Sequence, residues 1–325
     1  MTTTTTTTLD TYTRQARAER TQRAYATDWA DFEAWCQQAE LSALPTTPET
    51  LAHYLAARAS ALKVSSLQRR LTAIRQVHHQ AGHHLDTRHP QLGAVWAGIR
   101  RTHGTARKGK APLLLQDLRD MVLALPDTLL GVRDRALLLV GFAGALRRSE
   151  LVGLDFAAAT GGSGFVEVTR EGLVVTLLRS KTDQEGRGRQ VGIPYGSTPH
   201  TCPVRALQDW QAAAGLAVGP AFRPVDRHGT IGSGRLSDKA VALVVKRAAY
   251  AAARSRGLDD STARQWAARF SGHSLRAGHV TAAAAAGVPE WVIMRQTGHT
   301  RIETLRGYIR LGSLWLENSA ARLGL

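Results

Sequence analysis

Ala136–Leu154, ALLLVGFAGALRRSELVGL, carries no polar side chain as far as Leu146 and then presents Arg147, Arg148, Ser149 and Glu150 in succession. A helix that is apolar all round has no face to offer water, so the stretch from Arg133 to about Leu146 is predicted to be a central core helix. Arg147 sits at its end, and Glu150, three residues on, shares its helical face. A buried carboxylate beside an arginine fixes the planar fork of the guanidinium. A helix-end ion pair is the plainer alternative for that spacing taken alone.

Beyond this stretch the pattern changes period. Phe165, Val166 and Val168, then Leu173 to Leu178 around the turn Arg170-Glu171-Gly172, and then Gln190 to Pro194 read as strands. They predict a small antiparallel sheet inserted in a mainly α chain. From Pro203 onward the reading is helical again, including Ser237–Ala253 and the alanine-rich Ser274–Ala286. On the upstream side lie a helix near Gln116–Ala124 and the segment GTARKGKA, glycine-rich, basic and free of large apolar residues, which reads as an interdomain linker.

Before the linker everything is helical. Tyr25, Trp29, Phe32 and Trp35 paint one apolar stripe, read as core rather than as a base-stacking face. Thr47 followed by Pro48 opens a second helix. A capping box from Ser65 to Gln68 opens a third, which buries Leu67, Leu71, Ile74 and Val77 and turns Arg69, Arg70 and Arg75 outward. That helix is the candidate to face a nucleic acid, against the alternative of a solvated basic face. The fourth runs near Leu92–Arg101 and ends in Arg100 and Arg101. The expected division is a disordered tail over 1–8, a helical domain over 9–103, a linker over 104–111 and an α+β domain over 112–325.

The bulk numbers agree with two domains, since 325 residues exceed what one core usually organises. Lys and Arg number 42 against 26 Asp and Glu, for a formal net charge of +16. Such a chain wants a polyanion. No apolar run approaches the roughly 20 residues of a membrane-spanning helix, and the basic residues are spread through folded segments, so nucleic acid is the expected partner and membrane is not. Cys36 and Cys202 are far apart and fit neither a zinc site nor a disulfide framework, which points to a reducing cytoplasm. The opening MTTTTTTT lacks the basic and apolar regions of a secretion signal. His78, His79, His83 and His84 raise the question of a metal, but with no cysteine or carboxylate beside them they read as a surface tract.

Six residues carry the chemistry: Arg147, Lys181, His273, Arg276, His299 and Tyr308. Cations and imidazoles can neutralise the charge that builds on a phosphoryl group in flight, and a tyrosine hydroxyl can attack phosphorus and hold it covalently. In SGHSLRAG, His273 and Arg276 lie three apart just inside a helix start at Ser271, where amides and cations converge on an anion. Gly287 ends that helix and Pro289 starts another. TGHT turns the chain at His299, and Thr300 with Glu303 opens the helix that bears Tyr308.

LRRSEL, SGHSLR, TGH and GYIR, in this order and at these intervals, resemble the tyrosine recombinase (phage integrase) family over about Leu9–Ala320, closest in appearance to its Cre-like site-specific recombinases. Position 299 carries His, as in most of the family, where Cre itself has tryptophan. The resemblance implies that Arg147 and Arg276 bind the non-bridging oxygens, His273 and His299 hydrogen-bond the phosphate, and Tyr308 is the nucleophile. Lys181, in RSKTDQEGRGRQ, would protonate the leaving 5′ oxygen, and Glu150 would position Arg147. The reaction so implied is expected to need no metal, ATP or other cofactor. DNA is expected to be held by Lys63, Ser65, Gln68, Arg69, Arg75, Arg100 and Arg101, by Lys108 and Lys110 in the linker, and by Lys239 on a helix entering the major groove. Leu314, Trp315 and Leu316 would dock a short apolar tail into a neighbouring protomer or onto their own domain. The implied assembly is a dimer on one recombination site and a tetramer in synapsis, in a bacterial or phage-encoded, nucleoid-associated setting. A type IB topoisomerase or a non-catalytic DNA-binding protein is the competing reading.

Overall fold

The structure, a computed structural model, describes residues 12, 18–106, 109–158, 161–180, 183, 185–312 and 323. The expected tail over 1–8, Lys108, Lys181 and the segment Leu314–Leu316 lie outside them. The chain falls into two compact units, Met1–Lys108 and Gly109–Leu325. No described helix is long and apolar enough to cross a membrane.

The first unit holds α1 (Glu19–Gln38), α2 (Pro48–Arg58), α3 (Val64–Gln80) and α4 (Pro90–His103). Three of the four aromatics of the α1 stripe belong to the core: Phe32 is fully buried, Trp29 and Trp35 pack against the same cluster, and Phe32 and Trp35 meet Tyr54 of α2 with ring centroids 4.9 and 5.4 Å apart, whereas Tyr25 is only half-buried. Thr47 caps α2 by accepting from the Thr50 amide at 3.2 Å, as its sequence predicts.

Three expectations fail here for physical reasons. The Ser65–Gln68 capping box does not form, because α3 opens with Lys63 at its N-cap and Val64 as its first residue, which puts Ser65 inside the first turn. Arg70 is not on an open face: it pairs with Asp31 and the Tyr54 hydroxyl, and its side chain is only 13% exposed. Two acidic groups of α1, Asp28 and Asp31, face α3 and draw its arginines inward. His78 is no part of a surface tract, since it is fully buried, accepts from the Thr46 amide at 2.9 Å through Nε2 and bonds the Ile74 carbonyl through Nδ1.

In the second unit α5 (Leu115–Leu123) precedes α6 (Leu129–Ala143), the core helix. Leu137, Leu138 and Val140 have no exposure, and α6 packs on α8 (Pro203–Ala213) and α9 (Asp238–Ser255). It stops earlier than the apolar run suggests. Gly144 closes it, Ala145 takes a left-handed φ of 48°, and the amides of Ala145 and Leu146 bond back to Phe142 and Gly141. That double bond-back is a Schellman ending, and it turns Leu146 into the core. Arg147 is therefore the N-cap of a separate short helix, α7 (Arg148–Val152), rather than the last turn of α6.

The sheet contains the three expected strands, β2 (Gly164–Val168), β3 (Gly172–Leu177) and β4 (Arg189–Pro194), paired antiparallel. Two short strands extend it, β1 (Leu154–Phe156) and β5 (Gly219–Pro220), in the order β4-β3-β2-β1-β5. Because β1 runs parallel to β2, the sheet is mixed and not purely antiparallel. The span after Pro203 is not wholly helical either, since β5 and irregular chain separate α8 from α9. The unit closes with α10 (Asp260–Ala268), α11 (His273–Ala285), α12 (Glu290–Thr297) and α13 (Ile302–Gly312). Val280, Ala284, Ile293 and Leu305 form a small core among α11, α12 and α13. Gly278 lets residues 111–113 cross α11 at close range: a Cβ there would stand 1.9 Å from the Leu113 carbonyl oxygen, and the Leu113 amide donates to Ser274 O at 3.0 Å.

Candidate active site

The first turn of α11 carries two of the six chemistry-bearing residues. The helix begins at His273, two residues later than the sequence suggests, with Gly272 at its N-cap. His273 is exposed, whereas Arg276, one turn on, is 2% exposed. Arg276 Nη1 donates to the Ala145 carbonyl at 2.7 Å, so the left-handed step that ends α6 also supplies the anchor for a buried arginine. A non-glycine residue in that conformation costs about 1 kcal/mol, a strain of the kind found at functional sites.

Arg147 enters from the N-cap of α7. Its backbone amide donates to Glu150 Oε2 at 2.9 Å and its Nη1 to Glu150 Oε1 at 2.5 Å. Glu150 is 2% exposed and bonds a third group, Arg189 Nη2 at 3.4 Å. The sequence reading missed Arg189. Its only local signal is a basic residue opening a strand, while its partners are 39 and 107 residues away in the chain.

His299 follows Gly298, which ends α12 in the left-handed region at φ 65°. Thr297 Oγ1 donates to Ile293 O, which leaves its lone pair to accept from His299 Nδ1 at 2.7 Å. That assignment makes Nε2 the acceptor facing Arg276 Nη2, 3.2 Å away. Tyr308, on α13, places its hydroxyl 2.7 Å from His273 Nε2. Five of the six residues are thus drawn into one pocket from α6–α7, α11, the turn after α12, and α13.

The pocket is over-supplied with positive charge. Burial, then the neighbouring Arg147 charge, lowers the Arg276 pKa to about 10, and burial also lowers Arg189. Burial, then the charges of Arg276 and Arg147, pushes His299 down to about 4. The imidazole is therefore neutral at neutral pH, in keeping with its hydrogen bonds. Its folded pKa lies below the unfolded value, so stability is full above about pH 6.5 and is lost as the pH falls from there toward 4. Burial lowers His279 in the same sense. Thermal melting between pH 7 and 4.5 should fall more steeply for the wild type than for His299→Gln; parallel curves would assign the acid sensitivity elsewhere.

The expected DNA contacts fare unevenly. Lys63, Ser65, Gln68, Arg75, Arg100, Arg101 and Lys239 are exposed and available to a partner. Lys110 is exposed but donates to the Ala268 carbonyl at 2.7 Å. Arg69 is engaged twice by the buried carboxylate of Asp28, Nε at 2.7 Å and Nη2 at 3.0 Å, although its side chain is 51% exposed. Lys239 stands in the first turn of α9, whose Asp238 lies 3.9 Å from Arg148, next to Arg147. Among the described residues no group of three or more His, Cys, Asp or Glu side chains is placed to share a metal ion.

Comparison with known proteins points one way. Residues 113–313 match the model of the phage integrase family, and residues 9–83 that of the phage integrase N-terminal SAM-like domain. The chain is 38% identical over 313 residues to an integrase/recombinase XerD homolog of Selenomonas ruminantium, covering 95% of this chain and 86% of that one. It is 24% identical over 315 residues to the recombinase Cre of Escherichia phage P1, covering 91% and 85%. In fold it resembles the XerH site-specific recombinase bound to a palindromic difH substrate in a post-cleavage complex, with a TM-score of 0.62, 16% identity, and coverage of 93% and 80%. It also resembles a lambda integrase dimer bound to a core site, with a TM-score of 0.58, 14% identity, and coverage of 93% and 94%.

Proposed function

Because the chain belongs to the phage integrase family and is a tyrosine recombinase, an enzyme of site-specific DNA recombination, we propose that Tyr308 is the nucleophile of a strand transfer through a 3′-phosphotyrosyl intermediate. The observation that carries this reading is the Tyr308 hydroxyl held 2.7 Å from His273 Nε2 in a pocket of excess cationic charge. His273 takes the phenolic proton as the tyrosine oxygen attacks phosphorus. Arg147 and Arg276 stabilise the charge on the non-bridging oxygens, and their mutual repulsion is relieved when the phosphate arrives. The bond from phosphorus to the 5′ oxygen breaks, and Lys181 supplies the proton that makes it a hydroxyl. A 5′ hydroxyl of the partner duplex then attacks the phosphotyrosine, its own proton passing to Lys181 while the proton held on His273 returns to the tyrosine oxygen, so both groups are restored and bond energy is conserved without ATP.

In this reading the helical unit grips DNA through Lys63, Ser65, Gln68, Arg75, Arg100 and Arg101, the linker lysines Lys108 and Lys110 and Lys239 of α9 add to the grip, and the second unit cuts. Arg69 contributes by packing against Asp28 more than by contact with phosphate. Synapsis is a tetramer over two sites. An apolar pocket of about 490 Å³, lined by Leu118, Leu139, Phe142, Ala283, Val292 and Ile293, supports this assembly as the receptor for Leu314, Trp315 and Leu316 of a neighbouring copy. Leu314→Ser with Trp315→Ser should leave cleavage intact and abolish exchange between two sites; undiminished exchange would remove the tail from the assembly.

A nicked duplex carrying the site selected from random-sequence DNA, on which the cleaved end diffuses away, tests the whole reading. The enzyme should accumulate an adduct that survives SDS, and a protein that only binds DNA forms none. Adduct formation in EDTA should match that in its absence. Loss on chelation with recovery on adding zinc or magnesium would contradict the arginine-based mechanism.

A further inference from the structure

We propose that Arg189 is a positioning residue of strand transfer, holding the carboxylate that orients Arg147 and the turn that presents His299 in one fixed geometry. This rests on the function proposed above. Arg189 opens β4, opposite Leu177 of β3, and its side chain is 20% exposed. Its Nη2 bonds Glu150 Oε2 at 3.4 Å, and its Nη1 donates to the Gln296 carbonyl at 2.8 Å. Nε is buried, with no hydrogen-bond partner among the described residues.

Both contacts bear on groups that act on phosphate. Glu150 has two oxygens to distribute: Oε1 meets the Arg147 guanidinium, while Oε2 takes the Arg147 amide and Arg189. A second cation on Oε2 holds the carboxylate plane, and the plane decides where the fork of Arg147 points. Gln296 lies in the last turn of α12, where carbonyls lack helical partners and a cation is favoured by the helix dipole. The Gln296 side chain fastens the same turn by donating to Ala143 O at 3.1 Å and Gly192 O at 3.2 Å.

Gly298 shows how closely the arginine is fitted. Its φ of 65° favours glycine, and a Cβ there would stand 2.8 Å from Arg189 Nε and 3.1 Å from Cδ and Cζ. The residue before His299 is thus small enough for Arg189 to lie against the turn. Holding a third guanidinium beside Arg147 and Arg276 is electrostatically unfavourable, and burial with the Arg147 charge lowers its pKa. Its bonds to Glu150 and to the Gln296 carbonyl offset that repulsion, and together they tie the carboxylate beside Arg147 to the turn that presents His299.

The test is a double-mutant cycle on single-turnover adduct formation with the nicked duplex, using Arg189→Met, Glu150→Gln and both together, with DNA affinity measured in parallel. Arg189→Met should slow adduct formation about tenfold or more with DNA affinity unchanged. It should cost far less in the Glu150→Gln background, because the two act through one geometry. Arg189→Lys should not rescue, since one ammonium cannot span both partners, and it replaces Arg189→Met if that variant fails to fold. Additive effects, an equal loss of DNA affinity, or rescue by lysine would overturn the proposal. If the wild type itself forms no adduct, the enclosing functional reading fails; if it does and the Arg189 variants match it, only the positioning role falls.

Discussion

Tyr308→Phe removes one oxygen atom and should abolish covalent capture of DNA, leaving no adduct above background, while affinity for the same duplex stays unchanged. The ring keeps its packing beside Val280, Ala284, Ile293 and Leu305, so the fold is undisturbed. What is lost is the hydroxyl 2.7 Å from His273 Nε2. Two other tyrosines are set differently: Tyr54 is buried in the first unit against Asp31, and Tyr250 bonds Asp260 at 2.6 Å. A variant that still forms adduct would show that another residue attacks phosphorus.

Arg276→Lys should lower the rate of adduct formation by a hundredfold or more, about 3 kcal/mol of transition-state stabilisation. Charge is formally conserved, but one ammonium cannot donate to Ala145 O, 2.7 Å away, and still present a planar pair of donors toward His299 and an incoming phosphate. Burial at 2% exposure leaves no room for water to substitute. Gel-shift affinity, which sums many contacts to the duplex, should change much less than the rate. Equal losses in both would recast Arg276 as a DNA-binding residue.

What the sequence revealed and what it hid follow one rule of distance along the chain. His273 and Arg276 share a helical turn, and Arg147 and Glu150 share a cap, so their pairing is local and legible. The strands β2, β3 and β4 alternate or run apolar between turn residues, and α6 is apolar on every side. β1 and β5 are too short to show a period. Arg189, the Ala145 carbonyl and the Thr297 hydroxyl owe their roles to partners from other elements, and no local spacing advertises them. Arg70 and His78 mislead for the same reason, since a polar residue on a helix reads as solvent-facing until the opposite helix supplies a carboxylate or an amide.

The proposed cage of cations from separate elements serves one tyrosine oxygen, that of Tyr308, and mass spectrometry of the trapped complex tests that assignment most directly. After nuclease and trypsin digestion, a nucleotide 3′-phosphate should be attached to Gly307–Arg310, GYIR, with the bond at Tyr308. Attachment to any other residue, or cleaved DNA with no covalent bond to protein, would contradict it.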